Sequence, residues 1–114
     1  MKKPGLAALL LLAGAVSQPC AAQGNLSYDQ AVVYCKSLGE LARSIMEARQ
    51  QDVDPNDQLK TLEAMDNDHW EQLGAKLVSV AYQHPEYEGA ARQKRAIEEF
   101  RNEYEQACYK MYLK

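Results

Sequence analysis

Residues and motifs that are typical of catalytic or metal sites are scarce in this sequence. It has three cysteines and two histidines in 114 residues. No second Cys or His stands near a cysteine at the spacing of zinc ligands, so a metal site built on the cysteines is not expected. No serine lies in a G-x-S-x-G turn between a strand and a helix, the setting that exposes a nucleophilic serine. We therefore expect neither an enzyme nor a cofactor.

Positive charge is also in short supply. Thirteen Lys and Arg stand against sixteen Asp and Glu, which gives a net charge of −3. The deficit is concentrated in residues 52–71, which hold seven acids with Lys60 as the only base. We call this stretch the acidic segment. Because no basic stripe is present, nucleic acid is not an expected partner.

Long apolar runs are absent except for residues 6–16, near the N-terminus. This run follows Lys2-Lys3 and precedes Cys20-Ala21-Ala22, the layout of a secretory signal peptide cleaved before Gln23, and it is too short to span a bilayer. We predict a signal peptide at residues 1–22 and one helical domain at 23–114, periplasmic or secreted, without a membrane span. A lipid anchor on Cys20 is the alternative, which the preceding Gln18-Pro19 disfavours.

Cleavage would leave two cysteines, Cys35 and Cys108. An even pair in an oxidising compartment predicts a disulfide bond. Closing a loop of about 70 residues is worth about 4 kcal/mol in the chain-entropy model. Two buried free thiols are the alternative.

Strand patterns are lacking, and helical periodicity follows the signal. Ser27 and Asp54-Pro55 are helix-start signals, and Leu59, Leu62 and Met65 are expected to face inward. Residues 66–68 either kink the second helix or end it, with Asp66 or Asn67 capping the next one. His84-Pro85 ends that helix, because a residue before proline avoids helical dihedrals.

The fold class that fits is all-α, a small bundle of three to four helices with one disulfide. Cys35 lies near the start of the first helix and Cys108 near the end of the last. A bond between them is easiest if those helices run antiparallel, which a fourth element permits. We therefore favour four helices.

One cation site is a weak candidate, since Asp52, Asp54, Asn56 and Glu63 have the ligand spacing of a calcium-binding EF-hand loop. Asp57 replaces the glycine that the sharp turn needs, and Lys60 takes the place of an oxygen ligand. The alternative is a helix start whose acids surround its positive end.

Tyrosine is unusually frequent, with seven tyrosines against one phenylalanine. The tyrosine ring can pack against apolar side chains while its hydroxyl remains in contact with solvent. This suits both the rim of a helical bundle and a protein interface. The candidate partner-binding residues are the connector side chains around Pro85 and the acids of the acidic segment. They are Tyr82, His84, Tyr87, Asp52, Asp54, Asp57, Asp66 and Asp68.

The order of several residues resembles a family of small exported, disulfide-stapled helical proteins of Gram-negative bacteria. The matching residues are Cys35, Arg49-Gln50, Ala81-Tyr82, Pro85, Phe100, Tyr104 and Cys108. The resemblance implies the helical fold and the bridge, and transfers no activity. We hypothesise a periplasmic protein-binding module (inhibitor, immunity protein or adaptor) whose partner is another periplasmic or secreted protein. The alternative is a calcium- or acid-responsive stress protein or chaperone.

Overall fold

The computed structural model describes residues 26–113, which form four α-helices. They are α1 (Tyr28–Gln50), α2 (Pro55–Glu63), α3 (Asp68–Ala81) and α4 (Ala90–Tyr112). The described range contains no strand, so the predicted all-α bundle is confirmed. The predicted signal peptide, residues 1–22, lies outside the described residues, as does Cys20.

Local side-chain caps begin the first two helices. The Ser27 hydroxyl accepts a hydrogen bond from the Gln30 amide at 3.1 Å, and the Gln30 side-chain oxygen accepts one from the Ser27 amide at 3.0 Å. This reciprocal pair is a capping box, which satisfies two amides that the helix itself leaves free. At α2 the Asp54 carboxylate accepts from the Asn56 amide at 2.8 Å, and Pro55 is the first helical residue. Both predicted starts are confirmed.

The chain ends one helix and begins another at residues 64–67. Asp66 adopts a left-handed backbone conformation with φ of 54°. The Asn67 side-chain oxygen then accepts from the Trp70 amide at 3.0 Å and caps α3. Residues 64–67 therefore separate two helices rather than kink a single one, and Asn67 rather than Asp66 caps α3.

The two long helices, α1 and α4, run antiparallel and make the largest contact in the bundle. Cys35 is disulfide-bonded to Cys108, with their Cα atoms 5.5 Å apart. Further along α1, the Glu40 carboxylate lies 4.0 Å from the guanidinium of Arg101, which is earlier in α4. The bridge thus joins the start of one helix to the end of the other, as the four-element topology requires.

A compact apolar core lies where the four helices meet. Met46 and Cys35 are its largest fully buried side chains. Its other members are Leu38, Ala42, Ile45, Leu62, Leu77, Val78, Ala81, Phe100 and Cys108. Leu62 faces inward as predicted. Met65 does not, because it follows the end of α2 and 48% of its surface is exposed.

Two glycines allow helices to approach closely. A methyl group at Gly39 of α1 would stand 2.7 Å from a carboxylate oxygen of Glu105 in α4. A methyl group at Gly74 of α3 would stand 2.5 Å from a methyl carbon of Leu62 in α2. Glycine lowers the helix propensity at these two positions, but its lack of a side chain allows the neighbouring helices to pack closely.

Candidate functional site

The connector between α3 and α4, residues 82–89, is held by two side chains at the end of α1. Arg49 donates from Nε to the His84 carbonyl oxygen at 3.0 Å. Gln50, only 3% exposed, donates to the Pro85 carbonyl at 3.0 Å and accepts from the Tyr87 amide at 2.8 Å. Because backbone groups in a connector have no helical partner, these bonds fix its path.

Tyr82, a candidate contact residue, is engaged in contacts within the fold. Its hydroxyl donates to the Val53 carbonyl and accepts from the side-chain amide of Gln58 at 2.8 Å. The Arg49 guanidinium carbon lies 5.0 Å from the centre of the Tyr82 ring, a cation–π distance. Tyr82 therefore supports the segment that leads into α2.

The other two connector candidates are His84 and Tyr87. His84 is half-buried, with its ring edge-on to Phe100 at 5.8 Å between centroids. Tyr87 is half-buried and lines a shallow surface depression with Arg92 and Arg95. Their role in partner binding stays a prediction.

The five acidic candidates are all exposed and lie around the two ends of α2. Asp52 adopts a left-handed conformation with φ of 61°, and Asp54 caps the helix. Asp57 lies in the first turn of α2, and Asp68 in the first turn of α3. The helix dipoles favour negative charge at these starts, so Asp54 and Asp57 stabilise α2 and Asp68 stabilises α3, while all five acids make this surface anionic.

The calcium-loop spacing has a structural explanation at one position. The Asp54 carboxylate already accepts a hydrogen bond from the Asn56 amide. Across residues 26–113, no group of three or more His, Cys, Asp or Glu side chains is arranged to hold a metal ion. The candidate of Asp52, Asp54, Asn56 and Glu63 stays a prediction.

A groove that the sequence analysis did not anticipate runs along α1, on the side roughly opposite Cys35. It consists of three shallow depressions that join end to end. The first and second share Ser37 and Trp70, and the second and third share Leu41 and Met65. The depressions are lined on α1 by side chains three or four positions apart, which form one stripe. The stripe is Val33, Ser37, Leu41, Ser44 and Ala48. We call this surface the α1 groove.

The part of the groove that α2 lines lies where α1 and α2 make only a small contact. α1 contacts α2 much less extensively than it contacts α3 or α4, whereas α2 packs closely against α3. The space between α1 and α2 is therefore only partly filled. At the other end of the groove, beside Trp70 of α3, Val33 is 65% exposed, although it lies on a helix whose opposite side is core.

An aromatic cluster stands at the end of the groove near the disulfide. The Tyr34 hydroxyl and Nε2 of His69 are hydrogen-bonded at 2.7 Å, and the Tyr34 ring lies 5.3 Å from that of Trp70. Tyr112 meets Tyr34 edge-on at 5.6 Å. Partial burial raises the pKa of the Tyr34 hydroxyl above its ordinary value of 10.0, and Tyr112 raises it further. Tyr34 therefore remains neutral at physiological pH.

The charges that line the groove are all of one sign. Asp29 lies at the aromatic end and Asp57 lies at the opposite end. Among the described residues that line it, none is Lys or Arg. Apart from the aromatic residues, the other side chains with a hydroxyl or amide group that line the groove are uncharged: Gln30, Ser37, Ser44, Gln58 and Thr61. The surface therefore combines a largely apolar trough with an acid at each end.

One sequence signal could have found this surface. Val33, Leu41 and Ala48 recur at helical spacing on α1, away from the stripe that includes Cys35 and Leu38. An apolar stripe on each side of one helix predicts two contact faces, of which α4 can cover only one. The position of α2, which decides whether the second face is covered, has no such signature.

Comparison of the chain with protein-family models, with curated proteins and with solved structures finds no match in any of the three. Within residues 26–113, none of the helices combines the length and apolar character that crossing a membrane requires.

Proposed function

We propose that this protein is a periplasmic or secreted protein-binding module, of the inhibitor, immunity-protein or adaptor kind, and that it binds its partner through the α1 groove. The observation that carries the proposal is the exposure of large apolar side chains along one continuous trough. Val33 is 65% exposed and Met65 48% exposed, and both line it beside half-buried Trp70. Contiguous exposed apolar surface with a polar rim is characteristic of protein interaction sites.

The rigidity of the scaffold supports a binding role. The bond between Cys35 and Cys108 ties α1 to α4 at the aromatic end of the groove. At the other end Arg49 and Gln50 fix the connector, and Tyr82 bonds to Val53 and Gln58, which line the groove. A surface held at both ends loses little conformational entropy when a partner binds.

The shallowness of the depressions favours a macromolecular partner over a small substrate. Small-molecule sites are concave and enclose most of their ligand, whereas the α1 groove is open along its length. The aromatic cluster of Tyr34, His69, Trp70 and Tyr112 has the composition of an interface anchor.

Co-purification of the exported protein with its native neighbours tests the proposal. We expect the wild type to retain a partner that Val33→Asp and Met65→Asp lose, since each substitution places a charge in the trough. Met111→Asp is the matched control, because Met111 is 64% exposed on α4 and does not line the groove. Equal recovery of the partner by all four proteins, or by none, contradicts binding through this groove.

A further inference from the structure

The length and charge of the α1 groove define one kind of occupant. On the basis of the proposed function, we infer that the partner inserts an amphipathic α-helix of about five turns, with its apolar side in the trough and Lys or Arg near both ends. The juxtaposition of an apolar floor with an acid at each end carries this inference.

The walls of the groove favour a helix over an extended strand. A strand adds to the free edge of a sheet, and residues 26–113 contain no sheet. The floor instead presents Val33, Ser37 and Leu41 as a row four residues apart, with the small side chains of Ser44 and Ala48 beyond. Such a row forms a ridge against which the side chains of a second helix can pack.

The distance between the two acidic ends sets the length of the occupant. From Asp29 to Ala48, the α1 residue at the Asp57 end, the helix rises about 28 Å at about 1.5 Å per residue. An α-helix of about five turns covers the same distance. A shorter helix could meet Asp29 or Asp57, but not both.

The charges around the groove select cationic flanks. Asp29 and Asp57 are exposed at its two ends, and Asp54 precedes Asp57 by about one turn of α2. No described lining residue offers a compensating positive charge. A partner helix with Lys or Arg at its ends gains attraction at both, whereas one with acidic ends is repelled at both.

The apolar side of the occupant is set by the exposed anchors. Val33 lines one depression of the trough and Met65 lines the next, and Trp70 lines both. Apolar residues of the partner at i, i+4, i+7 and i+11 would follow this line. This requirement is more specific than attraction of a basic peptide to an acidic surface, because the partner helix needs both the apolar positions and the basic residues near its ends.

Selection from a displayed library of twenty-residue helical peptides tests the inference without assuming a sequence. The library randomises the flanks and the four apolar positions, and includes proline-rich members of equal length. Peptides that bind the Val33→Asp/Met65→Asp protein are removed first. We expect the remaining binders to be enriched several-fold over the input in Lys and Arg at both ends, with apolar residues at the four positions.

The other outcomes separate the two proposals. Groove-dependent binders with neutral, acidic or proline-rich sequences would overturn this inference and leave the proposed function standing. Absence of any binder that the two substitutions abolish would overturn both. Concentration-dependent dimerisation of the wild type that Val33→Asp prevents would identify a second copy of this chain as the occupant and overturn the inference.

A selected peptide, made synthetically, gives the quantitative test. We expect the Asp29→Asn/Asp57→Asn protein to bind it roughly fivefold more weakly, the effect of losing two rim ion pairs of about 0.5 kcal/mol each. The matched control is Glu88→Gln/Glu103→Gln, since both glutamates are exposed outside the groove. Equal weakening by the two double variants, or no weakening by the first, would overturn the role of the acidic ends.

Discussion

Replacing Gln50 by leucine tests how the connector is held. The side chain is 3% exposed, and its two ends bond the Pro85 carbonyl at 3.0 Å and the Tyr87 amide at 2.8 Å. Leucine has a similar volume and offers neither bond. Each polar group left unpaired costs about 1–3 kcal/mol when it is buried. Because both partners are only partly buried, we expect a loss of about 2–3 kcal/mol.

Urea unfolding followed by Trp70 fluorescence measures this loss. The expected shift is a lower midpoint with an unchanged dependence on urea. Gln51→Leu is the matched control, because Gln51 is the next residue and its side chain is exposed. We expect the control to stay within about 0.5 kcal/mol of the wild type. If Gln50→Leu also stays within that margin, the two hydrogen bonds do not hold the connector.

Three further predictions concern packing, pH and calcium. Gly74→Ala places a methyl group 2.5 Å from Leu62. Overpacking costs about 1–3 kcal/mol, whereas the gain in helix propensity is about 1 kcal/mol, so urea unfolding should show a net loss of stability. A gain in stability would contradict the close packing. The raised pKa of Tyr34 means that its stabilising contribution is complete below pH 10.0 and is lost as pH rises through the folded-state pKa. Tyr34→Phe should therefore flatten the fall in stability as pH rises above 10.0; an unchanged slope contradicts it. The Asp54 carboxylate already caps α2. We therefore expect Trp70 fluorescence to stay unchanged on adding calcium to about 1 mM, the dissociation constant of the weakest natural calcium sites. Saturable quenching would establish a cation site.

The starts of the first three helices could be predicted because their capping signals are local. Ser27, Asp54-Pro55 and Asn67 each bond an amide two or three residues away, so a short stretch of sequence contains both partners. The antiparallel arrangement of α1 and α4 was predictable from the positions of Cys35 and Cys108, because a covalent bond restricts the topologies available.

The functional surfaces were harder to predict because they depend on contacts between distant residues. Tyr82 is a predicted contact residue, and its hydroxyl donates to the carbonyl of Val53, 29 positions earlier. Arg49 and Gln50 bond carbonyls 35 positions later. The α1 groove depends on where α2 lies, and α2 packs more extensively against α3, where Leu62 meets Gly74, than against α1.

Photo-crosslinking at position 33 of the protein in living cells tests the binding proposal most directly. With a photoreactive residue replacing Val33, illumination should give a discrete covalent adduct with a partner protein, and the same adduct should form from position 65. Position 111, equally exposed but outside the groove, should give none. An adduct from position 111 as strong as that from position 33, or none from positions 33 and 65, would contradict partner binding in the α1 groove.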